Sequence, residues 1–313
     1  ILRFASSINR LWVTSEGKTA MELLRESGQT DESIRIFWRP LIVSALNTPP
    51  EDASAKLFTE VMRLGFFGPA DASKFFMPES TLGELVAPAR GLIESNGGRV
   101  LLGAKAREIR FEDGLAAACV LSSGEEIRSD AIICATKPKE LLSILPGEFR
   151  ARLEFAGLGN LQFSPIVSVY LWSRNQFLHR AMTALPGSPI DWVFSLPGGE
   201  SGLYRSAVTI SAATELIDLK ESEIIEIVSN ELRANFPDFA SARPEHWRVF
   251  KDKYATFRAT AEAEKWRPDA RTSVPNLFLA GDWAATGLPG TMEGAARSGI
   301  NAMNLCRNYL ILQ

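Results

Sequence analysis

Apolar side chains recur at helical spacing through residues 1–77, and this recurrence predicts a mostly helical block. The recurrence is interrupted at Thr48-Pro49-Pro50-Glu51. Proline is tolerated in the first turn of a helix, so this tetrapeptide predicts the start of a new helix. Further apolar residues continue the helical stripe: Ala53, Leu57, Val61 and Leu64.

The hydrophobic period shortens after Gly97. A short strand is predicted at 99–102, and three segments separated by Asp113-Gly114 and Ser123-Gly124 predict a meander over 109–128. Glycine accepts the positive φ that tight hairpin turns require, so these dipeptides favour hairpins. The unbroken apolar run at 131–135 predicts a strand that is buried on both faces.

Alternating apolar residues predict further strands at 167–172, 207–210 and 247–254, with an amphipathic helix from Glu221 to Phe236. The last forty residues predict one strand, one turn and one long helix in succession. A buried strand at 276–280 leads into Gly281-Asp282 and a turn rich in glycine and proline. Thr291 then begins a long helix, since threonine is a favourable N-cap residue.

The composition is that of a folded globular chain. Of 313 residues, 46% are hydrophobic and 23% are charged, and the formal net charge is −3. Without a basic excess, no nucleic-acid partner is expected. The cysteines (Cys119, Cys134, Cys306) and histidines (His179, His246) show neither disulfide nor zinc spacing, so no metal is expected.

No apolar run reaches the length that a membrane-spanning helix needs, and no leader pattern opens the sequence. These observations lead us to expect a cytoplasmic protein, with peripheral contact at the inner membrane face as an alternative. That alternative rests on an apolar loop at Phe66-Phe67 and 75–77, which would either contact a bilayer or pack against the protein.

Candidate chemistry is concentrated near the C-terminus. Asp282 follows a predicted buried strand, and Thr291-Met292 begins the last helix. Small residues recur along this helix at Gly294, Ser298 and Ala302. Two interpretations remain open: close packing of the helix on a sheet, or a cofactor at the helix N-terminus, where free N–H groups favour negative charge.

The segments 276–283 (NLFLAGDW) and 287–299 (GLPGTMEGAARSG) resemble the C-terminal flavin motif of the amine oxidase and phytoene desaturase superfamily. Within it, the chain is most similar to the squalene-associated FAD-dependent desaturases, or hydroxysqualene dehydroxylases. Leu46-Asn47-Thr48-Pro49 carries the narrower resemblance, and 191–194 and 253–257 support it.

The resemblance implies FAD as cofactor. It places the ribityl chain against Asp282, which follows Gly281, and the pyrimidine ring at the helix start formed by Thr291 and Met292 after Gly290. A further set of contacts is implied for the backbone of Ala106, against adenine.

The family's GxGxxG unit has no counterpart in this sequence, and the nearest string, at 157–162, lacks the third glycine. We therefore expect that an N-terminal unit is missing and that the chain alone binds FAD weakly or not at all.

The implied fold class is α/β: an FAD-binding Rossmann-like domain, incomplete at its N-terminus, intertwined with an α+β substrate domain. The expected substrate domain comprises 1–77 and 146–268. The expected FAD domain comprises 78–145 and 269–313.

The resemblance implies reductive removal of the hydroxyl group of hydroxysqualene to give squalene, with a lipophilic isoprenoid as substrate and other enzymes of squalene synthesis as potential partners. The alternatives are a carotenoid-type desaturase or another flavoenzyme of the amine oxidase family, and a non-catalytic lipid-binding remnant. Trp38, Trp192 and Phe194 are candidates for the substrate pocket, although aromatic residues also build ordinary cores. Lys253 and Asp191 are weaker catalytic candidates.

Overall fold

The computed structural model describes residue 4, residues 7–74, residue 76, and residues 81–197 and 202–312. The chain divides into two compact units. The first comprises Ile1–Ala72, Leu161–Trp266 and Gly287–Gly294. The second comprises Ser73–Asn160, Arg267–Thr286 and Ala295–Gln313. The mixture of helices and sheets confirms the α/β class. The domain boundaries inferred from the sequence stay a prediction.

The first unit begins with a helical block, as the sequence predicts. Its helices are α1 (Ile8–Val13), α2 (Ala20–Glu26), α3 (Asp31–Ser33), α4 (Arg39–Leu46) and α5 (Ala55–Gly65), with a π-helical turn at Ile34–Trp38 between α3 and α4. Thr19 and Glu22 form a reciprocal capping box at the start of α2. The helix that was predicted to start at 48–51 begins instead at Ala55, where the Ser54 hydroxyl accepts a hydrogen bond from the Leu57 amide. Pro49 to Asp52 form a turn.

The end of α4 is fixed to the rest of the first unit by Asn47, which is buried and has a φ of 48°. Its amide donates to the Ser164 carbonyl at 3.1 Å and the Thr256 hydroxyl at 3.0 Å, and accepts from the Ala212 amide at 2.6 Å. Beside it, the buried Thr48 hydroxyl accepts from the Ala259 amide at 2.9 Å. The Leu-Asn-Thr-Pro segment is therefore a structural clamp.

A five-stranded antiparallel sheet forms the centre of the first unit, in the order β6-β7-β8-β5-β9. Its strands are β5 (Phe163–Ser173), β6 (Met182–Ala184), β7 (Trp192–Leu196), β8 (Tyr204–Ser211) and β9 (Pro244–Phe257). Helix α10 (Glu221–Asn235) covers one face, and α11 (Phe239–Ala242) follows it. Ile224, Val228 and Leu232 of α10 join the buried core of the sheet. The strands and the helix predicted in this region are confirmed.

The second unit contains the predicted meander, formed by β1 (Ala106–Glu112), β2 (Leu115–Leu121) and β3 (Glu126–Arg128). Asp113 and Gly114 have φ values of 50° and 79°, as a tight hairpin turn requires. A separate parallel pair joins β4 (Ile132–Cys134) to β10 (Leu277–Leu279). The side chain of Asn276 links the two sheets by bonding to the main chain of Ala116 and Asp130.

The second unit also contains the helices α6 (Leu82–Ser95), α7 (Pro138–Ile144), α8 (Gly147–Arg150) and α9 (Leu153–Ala156). The last helix, α12 (Met292–Ile311), begins in the first unit and continues in the second. Single 3-10 turns occur at Ala70–Ser73, Gly157–Asn160 and Ala263–Lys265. No residue of α6 is buried. None of the helices that the structure describes is both long and apolar enough to cross a membrane.

Two predictions for the second unit are wrong. Residues 99–102 do not form a strand, because none of the described segments pairs with them; Leu101 and Leu102 are exposed. The strand predicted at 131–135 exists as β4 but is not buried on both faces, since the Ile133 side chain is 41% exposed. Burial depends on neighbouring layers, which hydrophobicity of a short run cannot specify.

Candidate functional site

One face of the five-stranded sheet carries a row of aromatic side chains. Strand pairing places Tyr170 opposite Ala207, and Phe194 opposite the same Ala207, so both aromatic residues lie on one face. Side chains alternate between the two faces along each strand, so the pairings at neighbouring positions place three further aromatic residues on this face. We call this set the aromatic face: Tyr170, Trp172, Trp192, Phe194 and Phe250. The opposite face holds the valines that pack under α10.

The aromatic face is ordered by ring contacts and by one polar anchor. The Trp192 and Phe194 rings stack at 6.4 Å, and the Tyr170 and Phe250 rings meet edge to face at 5.5 Å. The indole N–H of Trp192 donates to the Ser44 hydroxyl at 2.6 Å. Phe250 is 57% exposed and the other four residues are half-buried. The aromatic face can therefore offer contact to an apolar ligand.

Trp38, the third residue predicted for a substrate pocket, lies in a different environment. Its side chain is 1% exposed and contacts the rings of Phe4, Phe37 and Phe58. Its indole N–H donates to the Gln29 side chain at 2.9 Å. The structure thus gives Trp38 a packing role in the helical block, while its assignment to a substrate pocket stays a prediction.

Asp191 stabilises the end of a strand. One of its carboxylate oxygens accepts a hydrogen bond from the Ser211 amide at 2.5 Å. Burial raises the pKa of Asp191, and the hydrogen bonds from Ser211 oppose that increase. Alternation along β7 places Asp191 on the opposite side from Trp192. The observed contact makes Asp191 a hydrogen-bond acceptor for the main chain of β8. A catalytic role for Asp191 stays a prediction.

Lys253 lies on the edge strand β9 and forms an exposed ion pair with Asp218 at 2.6 Å. The hydrogen bond to Asp218 raises the pKa of Lys253, so the amine stays protonated. A charged, solvated ammonium group is a poor proton acceptor. The catalytic assignment of Lys253 stays a prediction that its surroundings do not support.

Gly281 and Asp282 follow β10 in the second unit, where the carboxyl end of a parallel strand commonly faces a ligand. Gly281 has a φ of 139°, and a Cβ added to it would lie 2.4 Å from Trp283 Nε1. The Gly281 amide donates to the Ser298 hydroxyl at 2.7 Å, and Trp283 Nε1 donates to the Thr136 carbonyl at 3.0 Å. These contacts fix the backbone immediately around Asp282.

The carboxyl group of Asp282 is partly withdrawn from water. Burial raises its pKa, while main-chain amides and the positive charges of Arg267 and Lys137 oppose the increase. An acceptor held in this way can bind a ligand hydroxyl group. The environment of Asp282 therefore fits the implied contact with a ribityl hydroxyl.

Gly290, Thr291 and Met292 lie at the start of α12, in the first unit. The predicted N-cap is observed: the Thr291 hydroxyl accepts from the Gly294 amide at 3.1 Å. Met292 is 70% exposed. A Cβ added to Gly294 would lie 2.9 Å from the Pro289 carbonyl oxygen, so the turn packs closely on the helix start. The cap occupies the Gly294 amide, and the implied contact of this helix start with the pyrimidine ring stays a prediction.

The stripe of small residues on α12 has a packing explanation farther along the helix. Ser298 is buried and bonds the Gly281 amide, and Ala302 packs against Phe278 and Ala280. Close helix–strand packing therefore accounts for Ser298 and Ala302. The cofactor interpretation concerns only the helix start.

Ala106 is the first residue of β1, and no strand at Val100 precedes it. It adjoins an open cleft of about 450 Å³ lined by residues 100–105 and by the turn after β2. The backbone near Ala106 is thus accessible to a ligand, and the implied adenine contact stays a prediction. Phe66 and Phe76 are 49% and 83% exposed; Phe75 and Met77 lie outside the described residues.

Sequence reasoning did not identify the structural role of two polar residues that shape these regions. Asn47 could have been recognised as a left-handed helix end, but its partners are distant in sequence. Arg267 gives no sequence signal, yet it is 6% exposed and bonds the loop after β10. Within the ranges described, no three His, Cys, Asp or Glu residues are grouped so that they could hold a metal ion.

The chain is similar in sequence to hydroxysqualene dehydroxylases and to 15-cis-phytoene desaturases. Hydroxysqualene dehydroxylase from Sinorhizobium fredii is 31% identical over 274 residues, covering 85% of this chain and 61% of the relative. A 15-cis-phytoene desaturase from Narcissus pseudonarcissus is 28% identical, covering 73% of this chain and 42% of the relative. The chain thus spans about three fifths of the length of the first of these relatives.

The fold is shared with solved structures. An oxidoreductase from Methanosarcina mazei superimposes with a TM-score of 0.76 at 18% identity, covering 97% of this chain and 72% of that one. The family model of flavin-containing amine oxidoreductases matches residues 14–305. The chain belongs to the flavin-containing amine oxidoreductase family.

Proposed function

We propose that this chain belongs to an FAD-dependent hydroxysqualene dehydroxylase, which removes the hydroxyl group of hydroxysqualene to give squalene. The observation that carries the proposal is the aromatic face of the five-stranded sheet. A long polyisoprenoid needs an extended apolar surface, which this face offers. The similarity to named hydroxysqualene dehydroxylases supports the same substrate.

The proposed reaction breaks the C–O bond of the substrate and forms a C–H bond. The hydroxyl group leaves with a proton as water, which leaves an allylic cation. A reduced flavin supplies a hydride equivalent when it is bound. The net change is the exchange of hydroxyl for hydrogen, with the release of water and the oxidation of the cofactor by two electrons.

The chain's own residues orient the substrate and exclude water. Aromatic ring faces attract cations, so Trp192 and Phe194 would stabilise the allylic charge. Their apolar surface would also keep water from capturing it. Ser44 fixes the indole of Trp192 through the hydrogen bond to Nε1, which limits the ring's freedom before the substrate binds.

For the cofactor, we propose that Asp282 accepts a hydrogen bond from the ribityl chain and that the start of α12 at Thr291 and Met292 meets the pyrimidine ring. Asp282→Ala in the full-length gene product should lower the FAD content of the purified protein. Asp269→Ala is a matched control, because Asp269 is exposed in the same unit. Unchanged FAD content in Asp282→Ala would remove Asp282 from the site.

Product analysis tests the reaction. The full-length gene product, reduced and supplied with hydroxysqualene, should form squalene, whereas phytoene should remain unchanged. Desaturated phytoene together with unchanged hydroxysqualene would favour the carotenoid desaturase. Absence of FAD binding and of both products would favour the non-catalytic alternative.

Variants of the aromatic face test the substrate surface. Trp192→Leu and Phe194→Leu should each lower kcat/KM for hydroxysqualene about tenfold, because a cation–π contact is lost. Tyr204→Leu is the matched control. Tyr204 lies on β8 opposite Ser173, on the other face of the same sheet. Equal losses in all three variants would contradict a specific role for the aromatic face.

A further inference from the structure

The loop that follows β10 is held by one buried arginine. Arg267 is 6% exposed, and its guanidinium donates to three successive carbonyl oxygens: Trp283 at 3.3 Å, Asp282 at 3.4 Å, and Ala284. The Ala285 amide donates to the Pro268 carbonyl at 2.9 Å, so the adjacent backbone joins the same contact. One side chain therefore fixes the backbone path of residues 282–284.

This contact depends on the shape of the guanidinium. Its N–H groups point outward from a rigid plane, so a single arginine can satisfy several carbonyl oxygens of a curved loop. An ammonium group at the same position would carry the charge but could not reproduce that fork. The backbone of Asp282 itself is one of these carbonyl acceptors.

We propose that Arg267 is a positioning residue for cofactor binding: it holds the loop so that the Asp282 carboxylate is presented to the ribityl chain. This inference rests on the proposed role of Asp282. In this role Arg267 acts through Asp282, whose backbone carbonyl it binds.

The positive charge of Arg267 also acts on the Asp282 carboxyl group. Burial raises the pKa of the Asp282 carboxyl, and Arg267 and Lys137 lower it. Removal of Arg267 leaves burial opposed by Lys137 and the main-chain amides, so the pKa rises further. The carboxyl group then becomes protonated at a higher pH and loses its strength as an acceptor there.

The experiment measures FAD affinity as a function of pH in the full-length gene product, by titration of flavin fluorescence. The variants are Arg267→Gln and Arg267→Lys, each also combined with Asp282→Asn. Arg271→Gln serves as control, because Arg271 is exposed and lies four residues away in the same unit. The two variants separate charge from shape.

We expect Arg267→Gln to weaken FAD binding about tenfold or more at neutral pH, since charge-assisted hydrogen bonds to the loop are lost. The pH at which affinity falls on acidification should rise in Arg267→Gln and return toward the wild-type value in Arg267→Lys. The affinity itself should stay reduced in Arg267→Lys. In the Asp282→Asn background, Arg267→Gln should have a much smaller effect.

Unchanged affinity and an unchanged acidic midpoint in Arg267→Gln would overturn the inference. So would an equal loss in the Asp282→Asn background, because the arginine would then act independently of Asp282. If Arg267→Gln does not fold, wild-type affinity in Arg267→Lys overturns the positioning role. Absence of FAD binding in the wild-type protein would refute the proposed function as well, which distinguishes the two failures.

Discussion

Truncation of Asn47 tests whether the Leu-Asn-Thr-Pro segment is a structural clamp. Asn47→Ala removes three hydrogen bonds, to Ser164, Thr256 and Ala212. The Thr256 hydroxyl can rotate toward another partner, but the Ser164 carbonyl and the Ala212 amide lose a fixed one. Ser164 is buried and Ala212 is half-buried, so each group costs about 1–3 kcal/mol, and an alanine in the left-handed conformation adds about 1 kcal/mol.

The expected loss is therefore about 3–7 kcal/mol in the free energy of unfolding, a large share of a typical total of about 5–15 kcal/mol. Urea unfolding followed by tryptophan fluorescence and circular dichroism measures it. Asn47→Gly removes the same bonds without the backbone cost, so it should be about 1 kcal/mol less damaging than Asn47→Ala. Asn235→Ala is the control, because Asn235 is exposed. A loss below about 1 kcal/mol in Asn47→Ala would refute the clamp.

Gly281→Ala should lower the free energy of unfolding by about 2 kcal/mol or more, because Gly281 has a φ of 139° and the added Cβ would collide with Trp283. Gly299→Ala should raise the free energy of unfolding by about 0.5–1 kcal/mol, because the space around the added Cβ is open. Thermal unfolding measures both, and equal signs would contradict the packing described. Burial, and secondarily the Cys119 thiol, raises the pKa of Cys134 from 9.0 to about 12. The folded state therefore favours the protonated thiol, and this contribution to stability is lost between pH 9 and 12. Cys134→Ala should show a shallower decrease of unfolding free energy over that range, and parallel curves would refute the assignment.

Local turn chemistry made parts of the fold predictable. Asp113-Gly114 specifies a hairpin whatever surrounds it, and the meander followed from that dipeptide and its apolar flanks. The cap at Thr291 was predictable for the same reason, because the hydroxyl and the amide that it accepts from are three residues apart.

Features that depend on distant partners were not predictable. The strand expected at 99–102 needs a neighbouring strand to satisfy its main chain, and a short hydrophobic run does not reveal whether one is present. The alternation of β5 predicted a half-buried strand, but only strand order brings Tyr170, Phe194 and Phe250 onto one face. Likewise, the carbonyl acceptors of Arg267 become visible only once the loop has its shape.

The two faces of the central sheet place residues with different packing roles at alternate positions of each strand. Odd-numbered residues of β5, such as Val167 and Val169, lie in the core, whereas even-numbered ones, such as Tyr170 and Trp172, lie on the aromatic face. Substitutions at alternate positions can therefore reshape what the surface accommodates while the layer beneath stays intact. Substitutions that alter the aromatic face would therefore fall at every second residue along β5, β7 and β8.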